Sequence, residues 1–214
     1  MIQGLYAITP ECAETALLLA QVRAALEGGA RLVQYRNKHG DTALRHEQAS
    51  ELLTLCRSYK APLIINDNLR LAALTDADGV HLGAEDGSVA EARIILGSGK
   101  IIGISCYDSL ERARTAEAQG ADYVAFGSFF TSATKPAAVP AALDLLHTAK
   151  RQLRIPVVAI GGITPANAPL LIEAGADAVA VISALFDASD ITSTARLFSS
   201  LFSGVIQPGS TLIH

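Results

Sequence analysis

Short apolar runs alternate with longer amphipathic stretches along most of this chain. The clearest case is residues 156–186, PVVAIGGITPANAPLLIEAGADAVAVISALF. Val157-Val158-Ala159-Ile160 lies between a proline and two glycines, the mark of a buried strand. Thr164 then Pro165 supplies an N-cap and a first-turn proline, and Gly175 supplies a C-cap, so a helix is predicted over 164–175. A second apolar run, 178–182, completes a β-α-β unit with two parallel strands.

The same alternation extends through the rest of the sequence. It predicts strands at Gly4–Ile8, 32–36, 62–65, 79–83, 101–105 and 123–127 ahead of the two above. Helices are predicted at Thr15–Glu27, 42–59, a short segment before residue 79, Val89–Leu96, 109–119, 140–153, 164–175 and 191–202, with a loop over 128–139. Strict alternation implies a parallel sheet, and eight units point to an α/β fold with a single (β/α)8 TIM barrel over 1–203. Residues 204–214 lack periodicity and read as a short tail. One phrase recurs before the even strands: Gly29-Ala30-Arg31-Leu32-Val33, Asp76-Ala77-Asp78-Gly79-Val80, Gly120-Ala121-Asp122-Tyr123-Val124 and Gly175-Ala176-Asp177-Ala178-Val179. Each is a helix stop feeding a strand start, so the repeat is architectural.

Composition narrows the class. With 214 residues, 50% of them hydrophobic, the chain can bury the core of one such domain. A net charge of −4 without a basic block gives no nucleic-acid face. Cys12, Cys56 and Cys106 are odd in number and widely spaced, which argues against a disulfide framework and fits a reducing cytosol. No basic-then-apolar leader opens the sequence, and no apolar run approaches the roughly 20 residues of a membrane helix. A cytoplasmic enzyme without membrane partners is expected. Composition leaves open whether it forms a homo-oligomer.

On a barrel, polar residues at strand C-termini converge at one rim, where active sites lie. Arg36 and Lys38 follow strand two, Asn66 and Asp67 strand three, and Asp86 strand four. Ser105 ends strand five, Ser132, Thr134 and Lys135 follow strand six, and Gly162 and Ser183 follow strands seven and eight. Arg36, Lys38 and Lys135 are donors for phosphate oxygens. Asp67 and Asp86 follow neighbouring strands, as two ligands of one Mg²⁺ would. The backbone N–H groups around Gly162 and Ser183 suit a second phosphate. A diphosphate beside a monophosphate is the expected cargo. Blander roles exist for each residue: Asp86 as a helix N-cap, Gly161-Gly162 as a tight turn, Arg36 and Lys38 as solvated cations, His81 as a hydrogen-bonded core histidine. No residue has the setting of an activated nucleophile.

These residues resemble the thiamine-phosphate synthase family. The resemblance rests on Leu5-Tyr6-Ala7-Ile8-Thr9-Pro10, Val33-Gln34-Tyr35-Arg36-Asn37-Lys38, Ile64-Ile65-Asn66-Asp67, Gly79-Val80-His81-Leu82-Gly83 with Asp86, and Gly103-Ile104-Ser105. It continues through Gly127 to Lys135, Ala159-Ile160-Gly161-Gly162-Ile163 and Val181-Ile182-Ser183-Ala184. It implies a (β/α)8 barrel that joins a hydroxymethylpyrimidine diphosphate to a thiazole phosphate, with Mg²⁺, giving thiamine phosphate and diphosphate. It further implies that Gln34, Tyr35, Arg36, Asn37, Lys38, Asn66, Ser105 and Lys135 hold the pyrimidine diphosphate. Asp67 and Asp86 would hold the metal, and Ser132, Ala133, Thr134, Gly162, Ile182 and Ser183 the thiazole phosphate. Lys135, Arg36, Lys38 and Ser105 would act on the reacting groups. Ser128 and Ser132 stand where the family pattern has proline and threonine; serine at 132 keeps the hydroxyl.

Two other readings share the barrel. A related thiazole tautomerase uses a histidine after strand five, where this chain has Ser105-Cys106-Tyr107. A non-catalytic thiazole-phosphate-binding regulator would not need Asp67, Asp86 and Lys135 together.

Overall fold

The computed structural model describes residues 2–131 and 141–203. Eight parallel strands close into a barrel in sequence order. They are β1 (Gly4–Ile8), β2 (Leu32–Tyr35), β3 (Leu63–Asn66), β4 (Gly79–Leu82), β5 (Ile101–Tyr107), β6 (Tyr123–Phe126), β7 (Val157–Ile160) and β8 (Ala178–Val181). The ring shuts where Leu5 of β1 pairs with Val179 of β8. Helices α1 (Thr15–Glu27), α2 (Thr42–Ser58), α3 (Leu69–Thr75), α4 (Val89–Leu96), α5 (Leu110–Ala118), α6 (Leu143–Gln152) and α7 (Ala168–Glu173) connect the strands. Two more, α8 (Ser183–Phe186) and α9 (Ile191–Ser200), follow β8. Most of the predicted loop 128–139, the first residue of the helix predicted over 140–153, and the tail 204–214 lie outside the described residues.

The two-residue period of the strands divides the core into two layers. Leu5, Ala7, Val33, Tyr35, Leu63, Ile65, Val80, Leu82, Val124 and Phe126 pack outward against the helices. Tyr6, Ile8, Leu32, Ile64, Tyr123, Ala125, Val158, Ala178 and Ala180 fill the barrel interior. Any polar residue that shares the inner parity therefore enters the lumen.

Three details depart from the pattern reading. The seventh helix starts at Ala168 instead of Thr164, and Thr164 caps only a preceding turn, its carbonyl accepting from Ala168 N at 2.9 Å. Pro169 explains this, since it has no N–H for a helix already under way and suits only a first turn. Strand β5 runs two residues further, with a register shift between Ser105 and Tyr107. Tyr107 at φ 55° takes up the turn, while Cys106 keeps the outward parity of Ile102 and Ile104 in the helix layer. The short helix α8, directly after β8, carries too few residues to show a period.

The recurring Ala-Asp phrase has a physical cause. Asp78 Oδ2 accepts from Leu63 N at 2.8 Å, Asp122 Oδ2 from Ile102 N at 2.7 Å, and Asp177 Oδ2 from Val157 N at 2.8 Å. Each aspartate, just before an even strand, holds an N–H at the start of the odd strand beside it. Arg31 takes that place before β2.

Candidate active site

The C-terminal ends of the strands surround a cavity of about 610 Å³. Its floor is the uppermost lumen layer: Ile8, Gln34, His81, Ser105, Ala125, Ile160 and Ile182 among them. Its walls are strand-end loops carrying Arg36, Lys38, Asp67, Asp86, Gly162 and Ser183. Of the residues singled out in the sequence, Gln34, Arg36, Lys38, Asn66, Asp67, Asp86, Ser105, Gly162, Ile182 and Ser183 meet around this one space.

Tyr35 and Asn37 do not line it. Tyr35 has the outward parity, is buried against the helices, and donates to Gln48 Oε1 of α2 at 2.8 Å. Asn37 donates to the same oxygen at 3.1 Å and accepts from Gly40 N at 2.7 Å, which folds the turn after β2. These two residues shape the Arg36–Lys38 segment from behind. Ser132, Ala133, Thr134 and Lys135 lie outside the described residues.

The acidic corner is crowded. Asp67 sits at φ 62°, a left-handed conformation uncommon outside glycine that aspartate tolerates better than most, held by its N–H on His81 O at 2.8 Å. Asn66 Nδ2 donates to Asp67 Oδ2 at 2.7 Å, and Lys38 Nζ stands 3.7 Å from the same oxygen. Asp86 Oδ2 accepts from Gly83 N at 3.0 Å, while the cap of α4 is Ser88 instead. Asp86 therefore is not spent as a helix cap. Burial and the neighbouring Asp86 carboxylate raise the Asp67 pKa, against the pull of Lys38 and Asn66. Two carboxylates that close disfavour each other unless a cation stands between them. Among the described residues no group of three or more His, Cys, Asp and Glu converges. A pair of oxygen donors suits a hard divalent ion whose remaining positions go to water and phosphate.

The cations are held in place by residues the pattern did not flag. Glu11, in the loop after β1, accepts from Arg36 Nη1 at 3.2 Å and from Lys38 N at 3.0 Å. Thr9 Oγ1 accepts from Arg36 N at 2.9 Å. A surface glutamate after a proline carries no sequence signal that it pairs across loops.

The opposite corner is built from glycine. Gly162 lies at φ 62°, and a Cβ there would come within 2.5 Å of Thr131 O. The segment after β6 therefore packs onto the Gly161–Gly162 turn, with Phe129 N on Ile160 O and Phe130 N on Gly161 O. Ser128, which replaces the family's proline, donates to Phe130 O at 2.8 Å and so braces the same turn.

Beneath the cavity a chain of hydrogen bonds crosses the lumen. Gln34 Nε2 donates to Tyr6 OH at 2.9 Å, Tyr6 OH meets Tyr123 OH at 2.8 Å, and Tyr123 OH meets His81 Nδ1 at 2.9 Å. His81 Nε2 then reaches Ser105 Oγ at 2.8 Å. Burial lowers the His81 pKa to about 4, so the ring is neutral at physiological pH. The core-histidine role read from sequence fits its burial, yet the ring edge also faces the cavity.

The model for thiamine monophosphate synthase matches residues 5–185. The chain belongs to the thiamine monophosphate synthase family. A thiamine-phosphate synthase of Thiobacillus denitrificans is 60% identical over 199 residues, covering 93% of this chain and 94% of that one. Another, from Nitrosospira multiformis, is 58% identical over 201 residues, covering 94% and 86%. Among solved structures, a thiamine phosphate pyrophosphorylase from Pyrococcus furiosus superposes with a TM-score of 0.83 at 38% identity, covering 94% of this chain and 96% of that one. Family membership agrees with the barrel and with a site at its C-terminal rim. Among the described residues no helix is long and apolar enough to cross a membrane.

Proposed function

We propose that this chain joins a pyrimidine bearing a diphosphooxymethyl group to a thiazole phosphate, forming thiamine phosphate and releasing diphosphate. The observation that carries the reading is the meeting, around one cavity, of a crowded acidic pair, two cations and a glycine turn. It is the arrangement that transfer from a diphosphate to a phosphate-bearing acceptor calls for, and it lies in a chain of this family.

Asp67 and Asp86 would hold one Mg²⁺, which when bound would supply positive charge to the leaving diphosphate. Arg36 and Lys38 add fixed positive charge on the same side, Arg36 steadied by Glu11. Lys135, outside the described residues, is assigned the same task by the family resemblance. Gln34 and Ser105 orient the pyrimidine on the cavity floor, with its methylene toward the thiazole nitrogen. The N–H groups around Gly162 and Ser183 hold the thiazole phosphate at the opposite wall. The methylene becomes cation-like, the ring nitrogen forms the new C–N bond, and the electron pair of the C–O bond leaves with the diphosphate. No covalent enzyme intermediate is needed; positioning and charge stabilisation suffice. The direct test is incubation of the purified chain with both substrates and Mg²⁺, followed by chromatography for thiamine phosphate. Product that forms only with all three supports the reading; no product under those conditions overturns it.

A further inference from the structure

The chain of hydrogen bonds under the cavity has a direction. A phenol has one proton and a neutral imidazole has one N–H, so each can donate only once along the chain. Gln34 Nε2 already donates to the Tyr6 oxygen. The Tyr6 proton therefore turns to Tyr123, and the Tyr123 proton to His81 Nδ1. With Nδ1 accepting, the ring proton sits on Nε2 and is donated to Ser105 Oγ. Ser105 accepts inside the relay, so its own proton is free for the cavity. Gln34, having spent one N–H on Tyr6, keeps its carbonyl oxygen and its second N–H for the cavity.

We infer that the Tyr6–Tyr123–His81 relay is a specificity device: it fixes the Gln34 amide with its carbonyl oxygen beside one N–H toward the cavity and presents a donor at Ser105, the polarity that suits an aminopyrimidine, whose amino group donates and whose ring nitrogens accept. The three relay residues are positioning residues; Gln34 and Ser105 make the contacts. Reversal would require every member to turn at once, because Tyr6 and Tyr123 are fully enclosed and a lone mismatch would orphan a buried hydroxyl. The geometry is also fixed by packing. His81 stacks on Tyr123 at 5.5 Å and 20°, and Tyr6 meets Tyr123 edge-on at 79°. Gly103 on β5 leaves room for the Tyr123 ring: a Cβ there would lie 2.0 Å from its Cζ. The inference rests on the pyrimidine being the ring that sits on this floor, as proposed above. Its amino group is a donor and its ring nitrogens are acceptors. Replacing the amino group by an oxo group turns the donor into an acceptor and places it against the Gln34 carbonyl.

Two measurements test this. The first is the tautomer of His81, read from the ¹⁵N shifts of the full chain labelled at histidine, with His81→Asn used to assign the signal. A proton on Nε2 is expected; a proton on Nδ1 in the unaltered chain would overturn the polarity. The second compares kcat/KM for the aminopyrimidine diphosphate and its oxo analogue. The unaltered chain should favour the amino form by about 10²-fold or more, and Tyr123→Phe should cut that preference to about tenfold or less. The KM for the thiazole phosphate should stay within about twofold, which a general loosening of the barrel would not allow. An undiminished preference in a folded Tyr123→Phe protein would overturn the device. Tyr6→Phe breaks the relay one link earlier and serves if Tyr123→Phe does not fold. Failure to make thiamine phosphate would sink the proposed function alone, since the tautomer measurement needs no turnover.

Discussion

Aspartates stand at both ends of the barrel, and their surroundings differ. At the N-terminal end Asp78, Asp122 and Asp177 each accept a strand N–H. Asp122 also pairs with Arg93 at 2.6 Å, and Asp177 with Lys150 at 2.5 Å. Each carboxylate is held by a strand N–H, two of the three are also paired with a cation, and the three sites repeat the same local sequence. At the C-terminal end Asp67 and Asp86 crowd each other, with Lys38 at 3.7 Å as a loose counter-charge. One set of carboxylates is satisfied by the fold; the other is left wanting a partner. The same side chain thus serves the barrel's hydrogen bonding at one end and, in the function proposed above, its chemistry at the other.

The largest effect should come from the rim. Asp67→Asn or Asp86→Asn is expected to lower kcat/KM by about 10²-fold or more in steady-state assays, while thermal unfolding shows an unchanged or higher Tm, since a repulsion is removed. A chelator should mimic the loss in the unaltered chain, and added Mg²⁺ should reverse it. If either substitution lowered Tm as much as activity, the rim pair would be structural and the contrast would be lost.

Next in size is the phosphate-facing cation. Lys38→Ala should raise KM for the pyrimidine diphosphate about tenfold, with KM for the thiazole phosphate little changed, measured by varying each substrate in turn. Equal changes for both would mean that Lys38 serves only to steady Asp67.

At the other end, Asp177→Ala strands Val157 N–H and frees Lys150. It should cost about 1–3 kcal/mol in urea unfolding and leave kcat near its original value in the folded protein. A large drop in kcat without loss of stability would show that the N-terminal end reaches the chemistry.

The smallest effect sharpens the phosphate corner. Ser183→Ala should raise KM for the thiazole phosphate a few-fold only, because backbone N–H groups share the load. Gly162→Ala is the less selective variant, since its Cβ would press on Thr131 O as well as on any ligand. Ser183→Ala weakening both substrates alike would dissolve the division into two anion corners.

The barrel was legible because its signals are local. Apolar runs, helix-stopping glycines and the Ala-Asp phrase each act within a few residues, and eight repetitions leave little choice of topology. The rim was legible for the same reason, as strand ends are places along the sequence. What the sequence does not show depends on facing and distance. Tyr35 lies between site residues in the sequence, but its parity on β2 sends it to the helix layer. Glu11 pairs with Arg36 from 25 residues away, and Tyr6 meets Tyr123 across 117 residues. No period in the sequence encodes such pairings; only closure of the barrel creates them. The left-handed backbone of Asp67 and the displaced start of the seventh helix are likewise products of packing and of a proline's missing N–H.

The central claim is that the two ends divide stability from chemistry. Asp67→Asn and Asp177→Ala should be prepared side by side, with urea midpoints and kcat/KM recorded for both. The account predicts a crossover: Asp67→Asn unfolds at the original urea concentration or higher and has lost at least about 10²-fold in activity, whereas Asp177→Ala unfolds earlier and turns over almost as before. Parallel losses of stability and activity in both variants would contradict it.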